Sequence, residues 1–453
     1  MLRHHSYNEL STEELQVLCR RPATEASDVI PAVQAILAEV REHGDQAVLA
    51  YTRRFDGVVP DPLLYRVRTA ADIPVGSAVR DAFTRAYENL TSFHRAQSPK
   101  NLEVQTMPGV VCRREARPIE RVGLYIPGGS APLPSTALML GVPALIAGCP
   151  VKIMATPPDA SGKPPAVIEL AASLCDIEYI YLAGGAQAIA AMGYGTQFMP
   201  KMDKIFGPGN AYVTAAKMLL SNSDALVSMD LPAGPSEVMV VAGPNADPGF
   251  IACDLLSQAE HGPDSQVVLV SVGAVDIHAV QRELARELQT LPRADIAREA
   301  LRHSFSLSVA DDAQALEVIN TYAPEHLILL LDNANELLAG IQHAGSVFVG
   351  HWTPESVGDY ASGTNHTLPT YGYARMYSGV SVESFLKYIT FQELSPRGLA
   401  DLAPAVTTMA ETEQLEAHRR AVTIRLARLD ERQTPTPPLT DSNAGERPTP
   451  SDS

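Results

Sequence analysis

Two short segments carry the side chains best suited to chemistry, Gln258-Ala259-Glu260-His261 and Pro324-Glu325-His326. Gln258 and His261 are three residues apart, so on a helix their side chains share one face. An imidazole and an amide oxygen can bind zinc together, although glutamine is an uncommon zinc ligand. A polar helix end is an alternative interpretation of the same spacing, so the residues alone leave a metal site open.

The second segment places a carboxylate next to an imidazole. Glu325 and His326 lead into a predicted buried strand at residues 327–331. A carboxylate and an imidazole at the mouth of such a strand are well placed to transfer protons. A salt-bridged turn at the surface is the alternative interpretation of this pair.

Two further stretches hold imidazoles near carboxylates. Residues 358–366 are polar and rich in glycine, and they include Asp359 and His366. Ordered irregular segments of this polarity are often functional. Glu413 and His418 lie on a predicted late helix, among carboxylates that we expect to form a solvated face. His418 can be a further ligand only if that helix returns to the site.

Glycine-rich loops at residues 127–130, 184–187 and 207–210 each follow a predicted strand and precede a predicted helix. Open α/β sheets bind ligands at this position, and helix N-termini there favour phosphate groups. Tight turns that need positive φ explain any single loop equally well. Three such loops in one domain favour a nucleotide, although the sequence has neither a Gly-x-Gly-x-x-Gly fingerprint nor a Walker motif.

The elements that must position these residues form a repeating pattern. The first 100 residues have helical periodicity. From residue 122 onward, short β-branched or aromatic runs alternate with helical stretches, which predicts βα units and two similar α/β domains with mostly parallel sheets. Residues 382–388 and 400–429 are predicted to be helical. The longer of these helices has mixed charge, as expected of an arm that packs on another domain or subunit.

Composition excludes several classes of function. The chain has 35 basic and 52 acidic residues and a formal net charge of −17, which argues against a nucleic-acid surface. Its five cysteines form no Cys-x-x-Cys pair, as expected of reduced thiols in the cytoplasm. We find no signal region and no apolar run near the roughly 20 residues that span a bilayer. The sequence therefore predicts a soluble protein.

These segments together resemble the histidinol dehydrogenase family from about residue 25 to residue 430. Six strings occur in the order that the family has: VGLYIPGGSAP at 122–132, FGPGNA at 206–211, PAGPSE at 232–237, DLLSQAEHGPD at 254–264, PEHL at 324–327 and GDYASGTNH at 358–366. The resemblance implies a zinc-dependent and NAD-dependent alcohol and aldehyde dehydrogenase. Such an enzyme oxidises L-histidinol through L-histidinal to L-histidine, the last step of histidine biosynthesis.

The resemblance also implies a role for each site residue. Glu325 and His326 would be the acid–base pair. Gln258, His261, Asp359 and His418 would bind one zinc ion per subunit, with His418 supplied by the partner subunit of a domain-swapped homodimer. The residues implied to contact NAD are Tyr125, Gln187 and Asn210. Those implied to contact substrate are Ser236, Gln258, His261, His326, Asp359, His366, Glu413 and His418.

The domain arrangement that we expect has two similar incomplete Rossmann-like domains with helical segments at both ends. A helical region, 1–120, would pack with the second α/β domain. An NAD-binding α/β domain would span 121–235 and a zinc-binding catalytic α/β domain 236–370. A helical arm, 371–432, would be swapped in the dimer. Residues 433–453 have the composition of a disordered tail.

Two other functions share parts of this pattern. A related dehydrogenase of sulfopropanediol or another polyol would keep the fold and change the substrate, although Glu413 and His366 suit the amine and imidazole of histidinol. A zinc-binding regulatory protein without turnover would leave the acid–base pair and the nucleotide loops unused. The N/O ligands suit zinc and manganese alike, so the native metal stays open.

Overall fold

The structure of the protein is a computed structural model that describes residues 2–21, 26–128, 133–231 and 234–433. The tail predicted for residues 433–453 lies outside the described residues, apart from Gln433 at the end of the last helix. No helix among the described residues is long and apolar enough to cross a membrane.

The strands of the described residues fall into three sheets. They are β1 (Arg3–Ser6), β2 (Leu64–Arg66), β3 (Leu102–Met107), β4 (Val110–Pro118), β5 (Arg121–Tyr125), β6 (Val151–Ala155), β7 (Tyr179–Tyr181), β8 (Lys204–Phe206), β9 (Ser228–Met229), β10 (Glu237–Ala242), β11 (Gln266–Val272), β12 (Phe305–Val309), β13 (His326–Leu330), β14 (Ser346–Val349) and β15 (Leu386–Leu394).

Most of the α-helices connect strands of the two larger sheets. They are α1 (Thr12–Leu18), α2 (Ala26–His43), α3 (Asp45–Asp56), α4 (Ser77–Ala96), α5 (Pro134–Ala147), α6 (Ala166–Leu174), α7 (Gly185–Tyr194), α8 (Ala211–Ser221), α9 (Pro248–Ala259), α10 (Ile277–Glu287), α11 (Ala294–Arg302), α12 (Asp312–Tyr322), α13 (Ala334–Leu337), α14 (Glu355–Tyr360), α15 (Pro396–Thr412) and α16 (Glu416–Gln433).

The two larger sheets have the same strand topology. The first sheet has the order β2-β7-β6-β5-β8-β9, and the second has the order β1-β12-β11-β10-β13-β14. In each sheet, five strands that follow one another in the chain have the spatial order third, second, first, fourth, fifth. A strand from earlier in the chain pairs with the third of them and forms the edge. Every pairing in them is parallel except that of β2 with β7. This confirms the predicted fold class of α/β domains with parallel sheets.

Helices cover both faces of each sheet, and the core therefore has a layer on either side. In β10, Val238, Val240 and Ala242 belong to one buried cluster, whereas Met239 and Val241 belong to another. Successive side chains of a strand point to opposite faces. A strand buried on both faces is a nearly continuous apolar run, which is why these strands could be predicted from the sequence.

The N-terminal region divides between the two sheets, so the prediction that all of it packs with the second α/β domain is corrected. Strand β1 pairs with β12, and α1 contacts α12. Helices α2 and α3 instead pack against α7 and α8, and α4 packs against α5 and α6, over the first sheet. Helical periodicity shows that α2 has an apolar face, but not which surface will cover that face.

A smaller unit comprises residues 100–117 together with the chain from residue 388 onward. It contains the three-stranded sheet β15-β4-β3 and helices α15 and α16. The helix predicted at 382–388 is wrong beyond Phe385, where a short 3-10 helix ends and β15 begins. The single helix predicted at 400–429 is two helices, because the chain turns at Gln414 with φ of 59°.

Candidate active site

The largest cluster of predicted site residues lines a pocket between the two larger sheets. One wall comes from loops after β5 and β8, at the carboxyl ends of the first sheet. The other comes from residues before β10, β11 and β13, at the amino ends of the second sheet. The lining comprises Leu133, Ser135, Gly207, Pro208, Asp230, Leu231, Gly234, Ser236, His261, Glu325, His326, Asp359, Tyr360, His366, Thr367, Leu368 and Thr370.

His326 is the first residue of β13 and is 3% exposed. Its Nδ1 atom lies 3.2 Å from the carbonyl oxygen of Glu237. Because a carbonyl only accepts, Nδ1 must carry a hydrogen, and Nε2 is the atom that can gain or lose a proton. Nε2 lies 3.4 Å from Asp359 Oδ1 and has no hydrogen-bond partner among the described residues.

The charge state of His326 follows from its surroundings. Burial acts to lower the pKa of this imidazole, but the carboxylates of Glu355, Glu325 and Asp359 raise the pKa well above its ordinary value. A nearby negative charge favours the protonated form of an imidazole. The carboxylates around His326 therefore favour its imidazolium form.

Glu325 is the second member of the predicted acid–base pair and is 5% exposed. Its Oε2 accepts a hydrogen bond from the backbone N–H of Glu237 at 2.9 Å and lies 3.6 Å from His326 Nδ1. Burial raises the pKa of Glu325 to about 8. A surface turn, the alternative interpretation of these two residues, is wrong because both side chains are buried.

Three candidate metal ligands lie outside the smaller unit: Gln258 on α9, His261 just beyond α9, and Asp359 on α14. Gln258 is fully buried, and with its amide nitrogen towards Glu355 it donates to Glu355 Oε1 at 2.5 Å and accepts from the Glu237 N–H at 3.0 Å. Burial lowers the pKa of His261, although Asp359 opposes this. Burial acts to raise the pKa of Asp359, but His326 and other imidazoles lower it overall. A neutral imidazole and a carboxylate are the forms that bind metals.

The candidate substrate contacts divide between the two units. Ser236 and His366 line the pocket. His366 Nε2 lies 3.1 Å from Ser135 Oγ, and burial lowers the pKa of His366. Glu413 and His418 belong to the smaller unit, where both are exposed. That they complete the site stays a prediction.

The three candidate NAD contacts lie at the carboxyl edge of the first sheet, where Tyr125 ends β5 and the other two residues follow β7 and β8. The Tyr125 hydroxyl accepts from the N–H of Gly185 at 3.0 Å, and burial raises the pKa of Tyr125 to about 12. Gln187 Oε1 is buried and lacks a hydrogen-bond partner in the described part of the chain. Asn210 caps α8 by accepting from the N–H of Val213 at 3.2 Å.

The glycine loop after β8 is held tightly against β5. A Cβ atom on Gly207 would lie 2.1 Å from the carbonyl oxygen of Tyr125, and φ is +125° there, so only glycine fits. Asp230 Oδ2 accepts from the Gly207 N–H at 2.7 Å, and Lys217 Nζ donates to the Gly207 carbonyl at 2.9 Å. Lys217 and Asp230 also form a buried ion pair. In the loop predicted at 127–130, residues 129 and 130 lie outside the described residues.

Two buried carboxylates at this site, Glu355 and Glu237, were not predicted from the sequence. Glu355, in the first turn of α14, is 1% exposed, and its Oε2 has no partner among the residues described. Burial raises the pKa of Glu355 well above its ordinary value. Glu237, at the start of β10, is also 1% exposed. In the sequence, Glu355 resembles an ordinary acidic residue of a first helical turn, but a charged residue heading the apolar run of β10 was a signal for Glu237.

Comparison with known proteins agrees with these features. The family model described as Histidinol dehydrogenase matches residues 19–426. The chain is 52% identical over 433 residues to a chloroplastic histidinol dehydrogenase of Arabidopsis thaliana, covering 95% of this chain and 93% of that protein. It is 50% identical to a histidinol dehydrogenase of Vibrio parahaemolyticus, covering 93% and 98%. A crystal structure of histidinol dehydrogenase from Elizabethkingia anophelis superposes with a TM-score of 0.89 at 44% identity, covering 95% and 99%.

Proposed function

Because the chain belongs to the histidinol dehydrogenase family, we propose that it oxidises L-histidinol through L-histidinal to L-histidine with two NAD. This is the last step of histidine biosynthesis. The observation that carries the proposal is the buried pair Glu325 and His326, which faces a pocket whose opposite wall is the glycine loop at Gly207 and Pro208. An acid–base pair beside a dinucleotide loop suits hydride transfer coupled to proton transfer.

The buried carboxyl groups around the pocket support the proposal that a metal cation binds there. Glu325, Glu355 and Asp359 are buried or nearly so and form no ion pair with Lys or Arg in the described ranges. Buried carboxylates are costly unless a cation or hydrogen bonds compensate them. We propose that Gln258, His261, Asp359 and His418 of the partner subunit hold one zinc ion per subunit. Manganese suits the same N/O ligands. When bound, the metal would hold the amine and the imidazole of histidinol.

The carboxyl edge of the first sheet supports an NAD site. Strands β5 and β8 are neighbours in this sheet. From β5 the chain continues to β6 on one side, and from β8 it continues to β9 on the other side. Open α/β sheets bind dinucleotides at such a reversal of strand order. The unpartnered Gln187 Oε1 provides a hydrogen-bond acceptor at this edge. We propose that Tyr125, Gln187 and Asn210 contact NAD, which accepts the hydride when bound.

His326 and Glu325 would divide the proton transfers between them. Nε2 of His326 would take the proton of the histidinol hydroxyl, while a hydride would leave the carbon that bears this hydroxyl. The resulting aldehyde must add water before a second hydride can leave and give the acid. Glu325 would remove a proton from that water, and His326 would take the hydroxyl proton of the hydrate. Ser236, His366 and Glu413 would contact the substrate and hold its reacting carbon in place.

We propose a homodimer in which the C-terminal arms are exchanged, because the resemblance assigns His418 to the partner subunit. The exposed faces of α15 and α16 around Glu413 and His418 support this arrangement. We also propose a cytoplasmic location, which five cysteines without disulfide bonds support.

The stoichiometry of NADH release tests the proposed function. Zinc-loaded protein should release about two NADH per histidinol consumed, since a hydride carries two electrons and oxidation of an alcohol to an acid removes four. The assay should include sulfopropanediol and other polyols at matched concentrations. Absence of NADH formation with histidinol would refute the proposal, and faster turnover of a polyol would reassign the substrate.

A further inference from the structure

The backbone of Glu237 contacts both members of the proposed acid–base pair. Its N–H donates to Glu325 Oε2 at 2.9 Å, and its carbonyl oxygen accepts from His326 Nδ1 at 3.2 Å. Strands β10 and β13 are parallel neighbours, with Val238 opposite His326. The backbone of Glu237, the first residue of β10, therefore fixes the position of the Glu325 carboxylate and the tautomer of His326.

The side chain of Glu237 is held by one buried arginine. Arg21 Nε donates to Glu237 Oε2 at 2.7 Å, and Arg21 Nη2 donates to Oε1 at 2.7 Å. The Arg21 and Glu237 side chains are 8% and 1% exposed. Glu237 Oε1 also accepts from the backbone N–H of Glu325 at 3.3 Å. A planar guanidinium provides this two-point geometry, whereas a lysine ammonium does not.

Arg21 also binds the segment that leads into the acid–base pair. Its Nη1 donates to the carbonyl of Tyr322 at 2.5 Å, and its Nη2 donates to the carbonyl of Ala323 at 3.2 Å. The guanidinium carbon lies 3.5 Å from the centre of the Tyr322 ring. Ala323 has a left-handed φ of 54°, which a residue other than glycine adopts only at a cost. One side chain thus holds the turn before Glu325 and the strand end opposite it.

We propose that Arg21 and Glu237 are positioning residues for the reaction, which hold Glu325 and His326 in the geometry that proton transfer needs. The inference rests on the proposed function of that pair. Neither residue lines the pocket, so we assign neither of them a contact with the substrate. A buried ion pair is weak evidence for stability alone, since apolar residues often replace one without loss. Arg21 bonds to Glu237 and to the carbonyls of Tyr322 and Ala323. It thus holds the two chain segments that carry the acid–base pair and its backbone partner.

A second two-point contact between an arginine and a buried glutamate offers a control, and its arginine side chain is 42% exposed. Arg68 donates from Nε and Nη2 to the two carboxylate oxygens of Glu169 at 2.9 and 2.6 Å, and the Glu169 side chain is fully buried. This pair joins the strand segment after β2 to α6 and does not line the pocket. Arg68→Lys therefore disrupts the same kind of contact without touching Glu325 or His326.

The experiment compares Arg21→Lys with Arg68→Lys and the unchanged protein, all loaded with zinc. We expect Arg21→Lys to lower kcat for histidinol about 100-fold, as a small displacement of reacting groups does, while the KM for NAD changes less than about twofold, because this site lies on the other sheet. Arg68→Lys, which weakens a contact remote from Glu325 and His326, should keep its kcat. Guanidinium ion added to Arg21→Ala should restore part of the lost kcat and none of the activity of a His326→Asn variant.

The outcomes separate the two proposals. If the unchanged protein does not oxidise histidinol, the proposed function fails. If it does, and Arg21→Lys keeps its kcat or loses no more than Arg68→Lys, the positioning role is refuted. Should Arg21→Ala fail to fold, the comparison of the two lysine variants still decides the matter.

Discussion

His326 Nε2 and Asp359 Oδ1 lie 3.4 Å apart, at the junction of a strand start and a short helix. The other ring nitrogen of His326 is committed to the carbonyl of Glu237. His326 therefore presents one nitrogen to the pocket, next to a carboxylate that we propose as a metal ligand. A cation bound at Asp359 would offset the negative charge that favours the imidazolium, and would leave Nε2 free to act as a base.

Replacing His326 with asparagine should remove this base. We expect His326→Asn to lower kcat with histidinol by about 10²- to 10⁴-fold, the usual contribution of general acid–base catalysis. Zinc content, measured by mass spectrometry, should be unchanged because His326 is not among the proposed ligands. His278→Asn, an exposed site on α10, is the matched control. Turnover that survives in His326→Asn would show that the base lies elsewhere.

Glu325 should set a limb of the pH profile for the second oxidation. Burial raises the pKa of Glu325 to about 8, and a general base works only when deprotonated. The rate of histidinal oxidation should therefore rise with pH and level off above about pH 8. Glu325→Gln should lose both the limb and most of the rate, whereas exposed Glu299→Gln should keep both. An unchanged limb in Glu325→Gln would contradict the assignment.

Asp254 should destabilise the metal-free protein at neutral pH. Burial raises the pKa of Asp254 to about 7, whereas an unfolded aspartate has a pKa near 3.9. Between these values the unfolded chain releases a proton that the folded chain retains, so the free energy of unfolding falls as pH rises through this window. Above about pH 7 the free energy of unfolding falls no further on account of Asp254.

The variant Asp254→Asn removes this titration. Its free energy of unfolding should exceed that of the unchanged metal-free protein by up to about 4 kcal/mol at pH 8, the energy of a shift of about three units. Near pH 4 the two proteins should differ little. Urea denaturation at pH 4.5, 6 and 8 in EDTA measures the difference. A difference that does not depend on pH would contradict a raised pKa at Asp254.

The sequence predicted the parts of this site that depend on local pattern. Local pattern located Glu325 and His326, which adjoin the apolar run of β13, and also Gln258 and His261, which have helical spacing. The resemblance to a known family, and not the pattern, assigned their roles. The Arg21–Glu237 pair was not predicted, since it joins residues that are 216 positions apart. Likewise, nothing local shows that α2 covers the first sheet whereas β1 extends the second. Such contacts follow from tertiary packing, which the periodicity of one segment does not contain.

Glu355 should strengthen metal binding without being one of the four proposed ligands. It accepts from the Gln258 amide nitrogen and so directs the amide oxygen away from itself. It also places a second buried carboxyl group within 4.8 Å of the Asp359 carboxylate and the His326 imidazole, and a bound cation would favour the ionised form of that group. Removing a partner that orients a ligand commonly weakens metal affinity about 10- to 100-fold.

We therefore expect Glu355→Gln to raise the zinc dissociation constant about 10- to 100-fold, as measured by competition with a chelating dye. Exposed Glu336→Gln should bind zinc as the unchanged protein does. The measurement needs no substrate, so it does not depend on the proposed reaction. Equal affinity in Glu355→Gln would refute a role for Glu355 in holding the metal.

Mixed dimers test whether His418 is supplied by the partner subunit. A homodimer of His418→Ala lacks a proposed ligand in both sites, and a homodimer of His326→Asn lacks the base in both. If arms are exchanged, one site of a mixed dimer takes His326 from the His418→Ala chain and His418 from the arm of the His326→Asn chain. That site is intact, whereas the other site carries both substitutions.

Random exchange of equal amounts should make half of the dimers mixed, so the mixture should regain roughly one quarter of the unchanged activity. Denaturing the two inactive proteins together and refolding them, followed by the NADH assay, measures the recovery. Each variant refolded alone should stay inactive. If His418 acted within its own chain, every mixed dimer would hold two damaged sites, and the mixture would be as inactive as its parents.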